Sequence, residues 1–328
     1  MQKTFLARLT VVLLVFISAT YCVVVRAQIP AIFPDRPLRL VVSFPAGSSS
    51  DQIARQISAE MSKDLGQQIV VDNKAGAQTI IGMQNSLLSP SDGYTLVLFG
   101  STPAAINVSM FRKLPYDPVR DFTAIGQIGE APLVMVASPK LAPNTAAEFI
   151  RYARDNPGKL NCGYGSTATQ VGCEAFAALS GIKIVSVPYK GTPQALVDLM
   201  GGSIDVTFFD YPFAAPQIRA GKVKTYGVTS RERFSLAPDL PTVGDAIPSF
   251  DLKVFFGLAA PGQLPADILK RLATSLDRAL ANPELVKKFS EQGLVVRRTT
   301  PQEFGAIVKS EIANWASLIK AAGIPPQD

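Results

Sequence analysis

The chain has 328 residues, with 32 Lys and Arg against 26 Asp and Glu, a net charge of +6, and no histidine. That length suits two α/β lobes or one large domain. The missing histidine excludes His-based triads, His general bases and His metal ligands together, leaving carboxylate or lysine chemistry for any enzyme; the expectation is a protein that is not an enzyme and needs no cofactor and no metal.

Lys3 and Arg8 give the start of the chain positive charge, and an apolar run follows from Leu9 to Val25. Val25-Arg26-Ala27 then puts small residues at the −3 and −1 positions of a signal-peptidase site, so residues 1–27 read as a signal peptide for export to the periplasm. The rival reading is a membrane anchor, since the apolar run is near the lower limit for a span. Lipid attachment at Cys22 is disfavoured by the bulky Tyr21 before it. Removing 1–27 takes Lys3, Arg8 and Arg26 and no acid, which leaves 29 basic against 26 acidic residues, a net of +3. No Lys/Arg run with interleaved aromatics is present, so no nucleic acid partner is expected. Cys162 and Cys173 remain; in an oxidising compartment they either pair or sit as two small buried apolar residues, and they are not spaced as a metal site.

Strand and helix signals alternate from there, which predicts a parallel or mixed sheet in α/β layers. Strands are predicted over 38–43, 68–72 and 94–99, with helices over 51–63 and about 79–88 between them. A second set begins near Pro132: strands over 133–137, 159–162, 184–187, 204–209 and 223–228, with helices over 145–155, 168–180, 193–200 and 212–220. One more strand, 253–259, precedes a helical tail over 265–281, 283–291 and 301–322. The stretches near 128–138 and 247–260 are extended and are the expected boundaries. They divide the mature chain into lobe 1 (28–130 plus 253–328) and lobe 2 (131–252), a hinged pair. Several helices are predicted to start with proline, at Thr102-Pro103, Thr192-Pro193 and Tyr211-Pro212, with Thr102 and Thr192 as N-caps. Ser49-Ser50-Asp51-Gln52 reads as an S-x-x-Q capping box. Ligands of open α/β sheets lie beyond the carboxyl ends of strands, so these helix starts either face one cleft or are ordinarily capped.

Two strand–loop–helix turns carry the anion-binding chemistry. Phe44–Asp51 offers Phe44, Ala46, Gly47, Ser48, Ser49 and Asp51, with Asp51 alternatively a helix cap. Gly163–Thr169 offers Gly165, Ser166 and Thr169. Neither turn has the GxGxxG or GxxxxGK[ST] spacing and neither holds a lysine, so hydroxyls and backbone donors at helix starts suit a carboxylate better than a phosphate. Ser101 and Thr102 either donate to the ligand or, for Thr102, only cap. Tyr189 lines the cleft or packs in the core. Asp210, at a predicted strand end, either caps its helix or pairs with a cationic amino group.

Short strings in a fixed order run through the mature chain: Arg36-Pro37-Leu38-Arg39-Leu40-Val41-Val42 into Phe44-Pro45-Ala46-Gly47, Val71-Asp72-Asn73-Lys74-Ala75-Gly76-Ala77, Asp92-Gly93-Tyr94-Thr95-Leu96 and Leu114-Pro115-Tyr116-Asp117-Pro118. Val187-Pro188-Tyr189-Lys190-Gly191, Gly201-Gly202-Ser203-Ile204-Asp205, Pro241-Thr242-Val243 and Trp315 complete the set. In these the sequence resembles the substrate-binding receptors of tripartite tricarboxylate transporters, the Bug (Bordetella uptake gene) family. The resemblance implies an α/β, two-lobed periplasmic binding protein of the type II-like, Venus-flytrap kind. It would be a monomer without catalysis that holds a small carboxylate ligand (a dicarboxylate, amino acid or aromatic acid) between the two loops. It also implies delivery to membrane permease subunits or, in some relatives, to a sensor kinase; a secreted carboxylate-using enzyme is the remoter alternative. Lys190 would be solvated or face the permease. The sequence departs from the family pattern at Gly47-Ser48-Ser49-Ser50, where Gly-Gly-Gly-Thr is usual. Gln170 and Ser186 stand where histidine is common, and Phe256 where tryptophan is common.

Overall fold

Leu38–Val42 forms the first strand (β1), with four of its five residues buried. It pairs in parallel with Ile69–Asn73 (β2) on one side and Thr95–Leu98 (β3) on the other. The computed structural model describes residues 33–328, so the expected signal peptide, 1–27, lies outside the described residues. Among the described residues no helix is long and apolar enough to cross a membrane. Helices Ser49–Leu65 (α1) and Ile80–Leu87 (α2) connect the first three strands. A π-helical turn, Thr102–Ile106, continues as Asn107–Met110 (α3).

The next element is a single 16-residue strand, Phe122–Ala137 (β4). The sequence predicts a strand over its last five residues and an extended stretch from about 128, so Phe122–Gln127 is a correction. The part Thr123-Ala124-Ile125-Gly126-Gln127-Ile128-Gly129 carries two glycines where the helix Ala266–Ala281 and the strand Val295–Val296 lie almost on it. A Cβ at Gly126 would sit 2.8 Å from Leu276, and at Gly129 2.7 Å from the Val295 carbonyl. Two register shifts further blur the alternation that marks a strand.

Beyond β4 come Ala146–Asp155 (α4), Asn161–Tyr164 (β5), Thr167–Ser180 (α5), Val185–Pro188 (β6), Thr192–Gly201 (α6), Val206–Asp210 (β7), Tyr211–Arg219 (α7) and Lys224–Val228 (β8). The chain returns through Lys253–Pro261 (β9), Ala266–Ala281 (α8), Pro283–Gln292 (α9), Val295–Val296 (β10) and Pro301–Ala321 (α10). The strand order is β2-β1-β3-β9-β4-β7-β5-β6, with β8 and β10 also on β4. The result is a mixed sheet in two lobes, and β4 belongs to both. Phe122–Pro132 pairs antiparallel with β9; from Leu133 onward the same strand pairs with β7 and β8. Pro132, which has no N–H to offer a ladder, stands at the handover. The second lobe packs around Phe149, Phe176, Phe208, Tyr226 and Phe250, rings 5.8–6.0 Å apart.

The helix caps correct three local expectations. The N-cap of α1 is Ser48, whose Oγ accepts from the Asp51 amide, one residue before the expected box. Thr102 and Thr192 lie inside their helices, with Ser101 and Gly191 at the N-cap positions and no side-chain cap bond at either. Proline at the first turn removes one orphan donor by itself and lessens the need for a capping oxygen.

Arg271 and Arg278 tie α8 to α1, both donating to the Asp64 carboxylate, Arg278 Nη1 at 2.8 Å. Burial alone raises the Asp64 carboxyl, but the bonds from Arg278 and Arg271 outweigh it and hold its pKa at about 2. A carboxyl depressed on folding contributes fully above its unfolded value and loses that contribution as pH falls through the folded one. Asp64→Asn is therefore expected to cost about 1–2 kcal/mol at neutral pH, with the gap from wild type closing between pH 4 and pH 2. Thermal melts of the two proteins across that range check it.

Candidate functional site

Both predicted loops border the same space. A cavity of about 620 Å³ is lined by Ser43, Phe44 and Pro45 from the first loop and its strand, and by Gly165 and Ser166 from the second. The segment Ala75–Thr79 and the residues Tyr189, Lys190 and Gln194 complete its wall. That volume is in the usual range for a small-molecule site. Beyond Phe44 and Ser166, which line both spaces, lies a void of about 20 Å³. Its wall includes Ser50, Ser101, Thr102, Ala168, Asp210, Phe255 and Phe256. Ser50, Thr102, Ala168 and Asp210 each belong to the start of a helical segment, so the expected convergence of helix N-termini is present. A separate groove of about 470 Å³, lined by Phe122, Leu269, Pro301 and Lys309 among others, shares no residue with either loop.

Ala46, Gly47, Ser48, Ser49, Asp51 and Thr169 build the loops rather than line the cavities. Ser48 caps α1 and donates to the Pro45 carbonyl at 2.8 Å. Asp51 accepts from the Gly47 amide at 3.0 Å, from Asn73 and from Arg55. Burial works against its carboxylate, yet the bonds from Arg55, Gly47 and Asn73 outweigh that and lower its pKa. Asp51 thus organises the first loop and lines neither cavity. Gly47 has φ of +82°, a left-handed turn that glycine adopts without a steric cost, and Ala46 beside it is exposed. Thr169 is 1% exposed and closes the capping box of α5 with Ser166. Ser101 accepts from the Phe255 amide at 2.8 Å. Tyr189 lines the cavity, but its hydroxyl donates to Asp198 at 2.7 Å.

The loops approach each other at several points. Ser49 Oγ donates to Asp210 Oδ2 at 2.5 Å, and Pro45 packs on Gly191 so closely that a Cβ there would meet its ring at 2.5 Å. Asp210 stands at the N-cap position of α7 and makes no side-chain cap bond there. Burial raises its carboxyl, and the Ser49 bond only partly offsets this.

Asn107 and the segment around Gln78 escape the sequence reading. Asn107 is fully buried; its Nδ2 donates to the Gln78 carbonyl at 2.8 Å and to Thr79 Oγ1 at 3.2 Å. Its Oδ1 accepts from Thr167 Oγ1 at 2.7 Å, on the far side of the cleft. Ala77, Gln78 and Thr79 have φ of 44°, 50° and 79°, three consecutive non-glycine residues in the left-handed region. No local motif announces such a wall, because its support comes from a residue about 30 positions away. Ser50, unlike Ser49, reaches the void itself.

Cys162 and Cys173 are bridged, which resolves the open alternative in favour of pairing. The bridge spans 11 residues and encloses the whole second loop.

The profile of the tripartite tricarboxylate transporter family receptor matches residues 53–324. The chain belongs to that receptor family. Protein BugT of Bordetella pertussis is 31% identical over 89% of this receptor and 90% of its own length. Among solved structures, R. palustris Rpa4515 with adipate superposes with a TM-score of 0.87 at 32% identity, covering 90% of this receptor and 100% of that chain. MatC from Rhodopseudomonas palustris with bound malate gives 0.84 at 31%, covering 88% and 100%. The receptor thus has the two-lobed fold of the solute-binding proteins, as the sequence strings imply.

Two outcomes test the loop construction. A Cβ at Gly165 would lie 2.4 Å from the Thr192 amide nitrogen, so Gly165→Ala is expected to lower stability by about 1–3 kcal/mol in denaturant melts. Reducing the 162–173 bridge is expected to cost about 2–3 kcal/mol by the same measurement.

Proposed function

We propose that this receptor captures a small carboxylate-bearing ligand between its two lobes in the periplasm and presents it, unchanged, to membrane permease subunits. The observation that carries the reading is that the two Gly/Ser loops border one cavity of ligand size, whose lining holds one basic side chain, Lys190, and no acid. Backbone amides, hydroxyls and helix starts hold a carboxylate reversibly, and the chain has no histidine to serve as a general base. The relatives found with adipate and malate support the ligand class. Micromolar capture needs about 8 kcal/mol, and three to five hydrogen bonds to a charged group at roughly 1.5–3 kcal/mol each supply it after ordering costs.

In this reading lobe 1 is residues 28–130 with 253–328 and lobe 2 is 131–252, with the hinge at the partner exchange in β4 and the strand β9 beside it. Residues 1–27 act as the export signal and are removed.

A thermal-shift screen across mono-, di- and tricarboxylates, amino acids and aromatic acids tests the proposal. A ligand at 100 times its dissociation constant is expected to add about 2.7 kcal/mol of stability and to be recovered intact. A flat screen, or recovery of a product, counts against it.

A further inference from the structure

The inner void is small and is lined by an acid with no basic partner among the described residues. Its volume of about 20 Å³ is room for one water-sized group, less than a carboxylate with its three heavy atoms needs. The Asp210 carboxylate lines it, and among the described residues its one side-chain hydrogen bond comes from Ser49. No Lys or Arg lines the void. Ser50 and Thr102 also line it, and neither hydroxyl is engaged elsewhere among the described residues. A desolvated carboxylate without a cation repels any second carboxylate brought against it. An ammonium answers all of these features: it is one heavy atom in size, it neutralises Asp210, and its three donors match one carboxylate and two hydroxyl oxygens.

We propose that Asp210 makes this a receptor for amino carboxylates: the ligand's carboxylate and body occupy the 620 Å³ cavity and its ammonium enters the void against Asp210, Ser50 and Thr102. This rests on the carboxylate-capture reading above and narrows it. A hydroxyl in the same place would donate one bond and leave the charge unbalanced, so hydroxy acids rank between amino acids and unsubstituted acids. A site built around a buried polar group discriminates strongly against analogues that lack its partner.

The test is calorimetric titration of matched acids: succinate, malate and aspartate; glutarate and glutamate; 3-phenylpropionate and phenylalanine. In the size class that binds best, the amino member is expected to bind about 10- to 100-fold more tightly than the unsubstituted one. Asp210→Asn keeps the shape and removes the charge; the preference is expected to fall to within about threefold. Ser49→Ala keeps the charge and removes the Ser49 bond; the preference is expected to survive, which separates a role in recognition from one in loop structure. Equal binding of substituted and unsubstituted acids by the wild type overturns this inference alone, and means the void takes water. A preference that persists in Asp210→Asn overturns it as well. No binding by any of the seven acids counts against the carboxylate reading and this inference together.

Discussion

The antiparallel pairing of β4 with β9 is the constraint on which the rest of the molecule depends. Nine residue pairs run from Phe122 with Pro261 to Pro132 with Lys253. From Leu133 the same strand enters another set of partners without a break. Two lobes joined through continuous backbone strands have few soft directions. Pro132, at the partner exchange, has no N–H to contribute to either ladder. The glycines that let helices lie on this ribbon serve the same end. A Cβ at Gly257 would fall 2.2 Å from the Phe304 ring, so the close approach of α10 depends on its absence.

With the strands so arranged, the carboxyl ends of β1, β5 and β7 and the helices that follow them meet at one place. The chemistry there is built from dipoles and hydroxyls, with one basic side chain, Lys190, in the cavity lining. Basic side chains near the first loop are spent on acids of its own scaffold: Arg55 on Asp51, Arg39 on Asp72. The one acid at the junction without a basic partner among the described residues, Asp210, is met by a serine from the opposite loop. The site therefore has an anion-friendly surface and a single anionic spot, a polarity that orients a ligand as well as holding it.

Much of this architecture was legible in the chain, and the illegible parts share a cause. The strands of the first lobe and the helices of both lobes announce themselves by local pattern, as in Leu38–Val42 or the amphipathic Ala266–Ala281. The two loops were found because glycine and serine between a strand and a helix have a local meaning. Phe122–Gln127 carries little local strand signal, because the glycines of this half of β4 answer to distant residues, Leu276 and Val295, that sit against them. The caps at Thr102 and Thr192 failed for a smaller reason, since proline had already removed one orphan donor. Asn107 carries no motif at all; an asparagine in the middle of a helical run is locally neutral, and its meaning comes from Gln78, Thr79 and Thr167.

That asparagine has a consequence for the shape of the ligand chamber. Left-handed backbone at three successive residues with side chains stores about 1–3 kcal/mol at each, and persists only where surrounding structure over-determines it. The wall at Ala77–Thr79 is in effect a preloaded spring, and Asn107 is its catch, with Thr167 bearing on the same catch from the opposite lobe. The dimensions of the chamber are thus governed by a side chain outside its lining. Drift in ligand preference among related receptors is then to be sought beneath the chamber wall as well as in it.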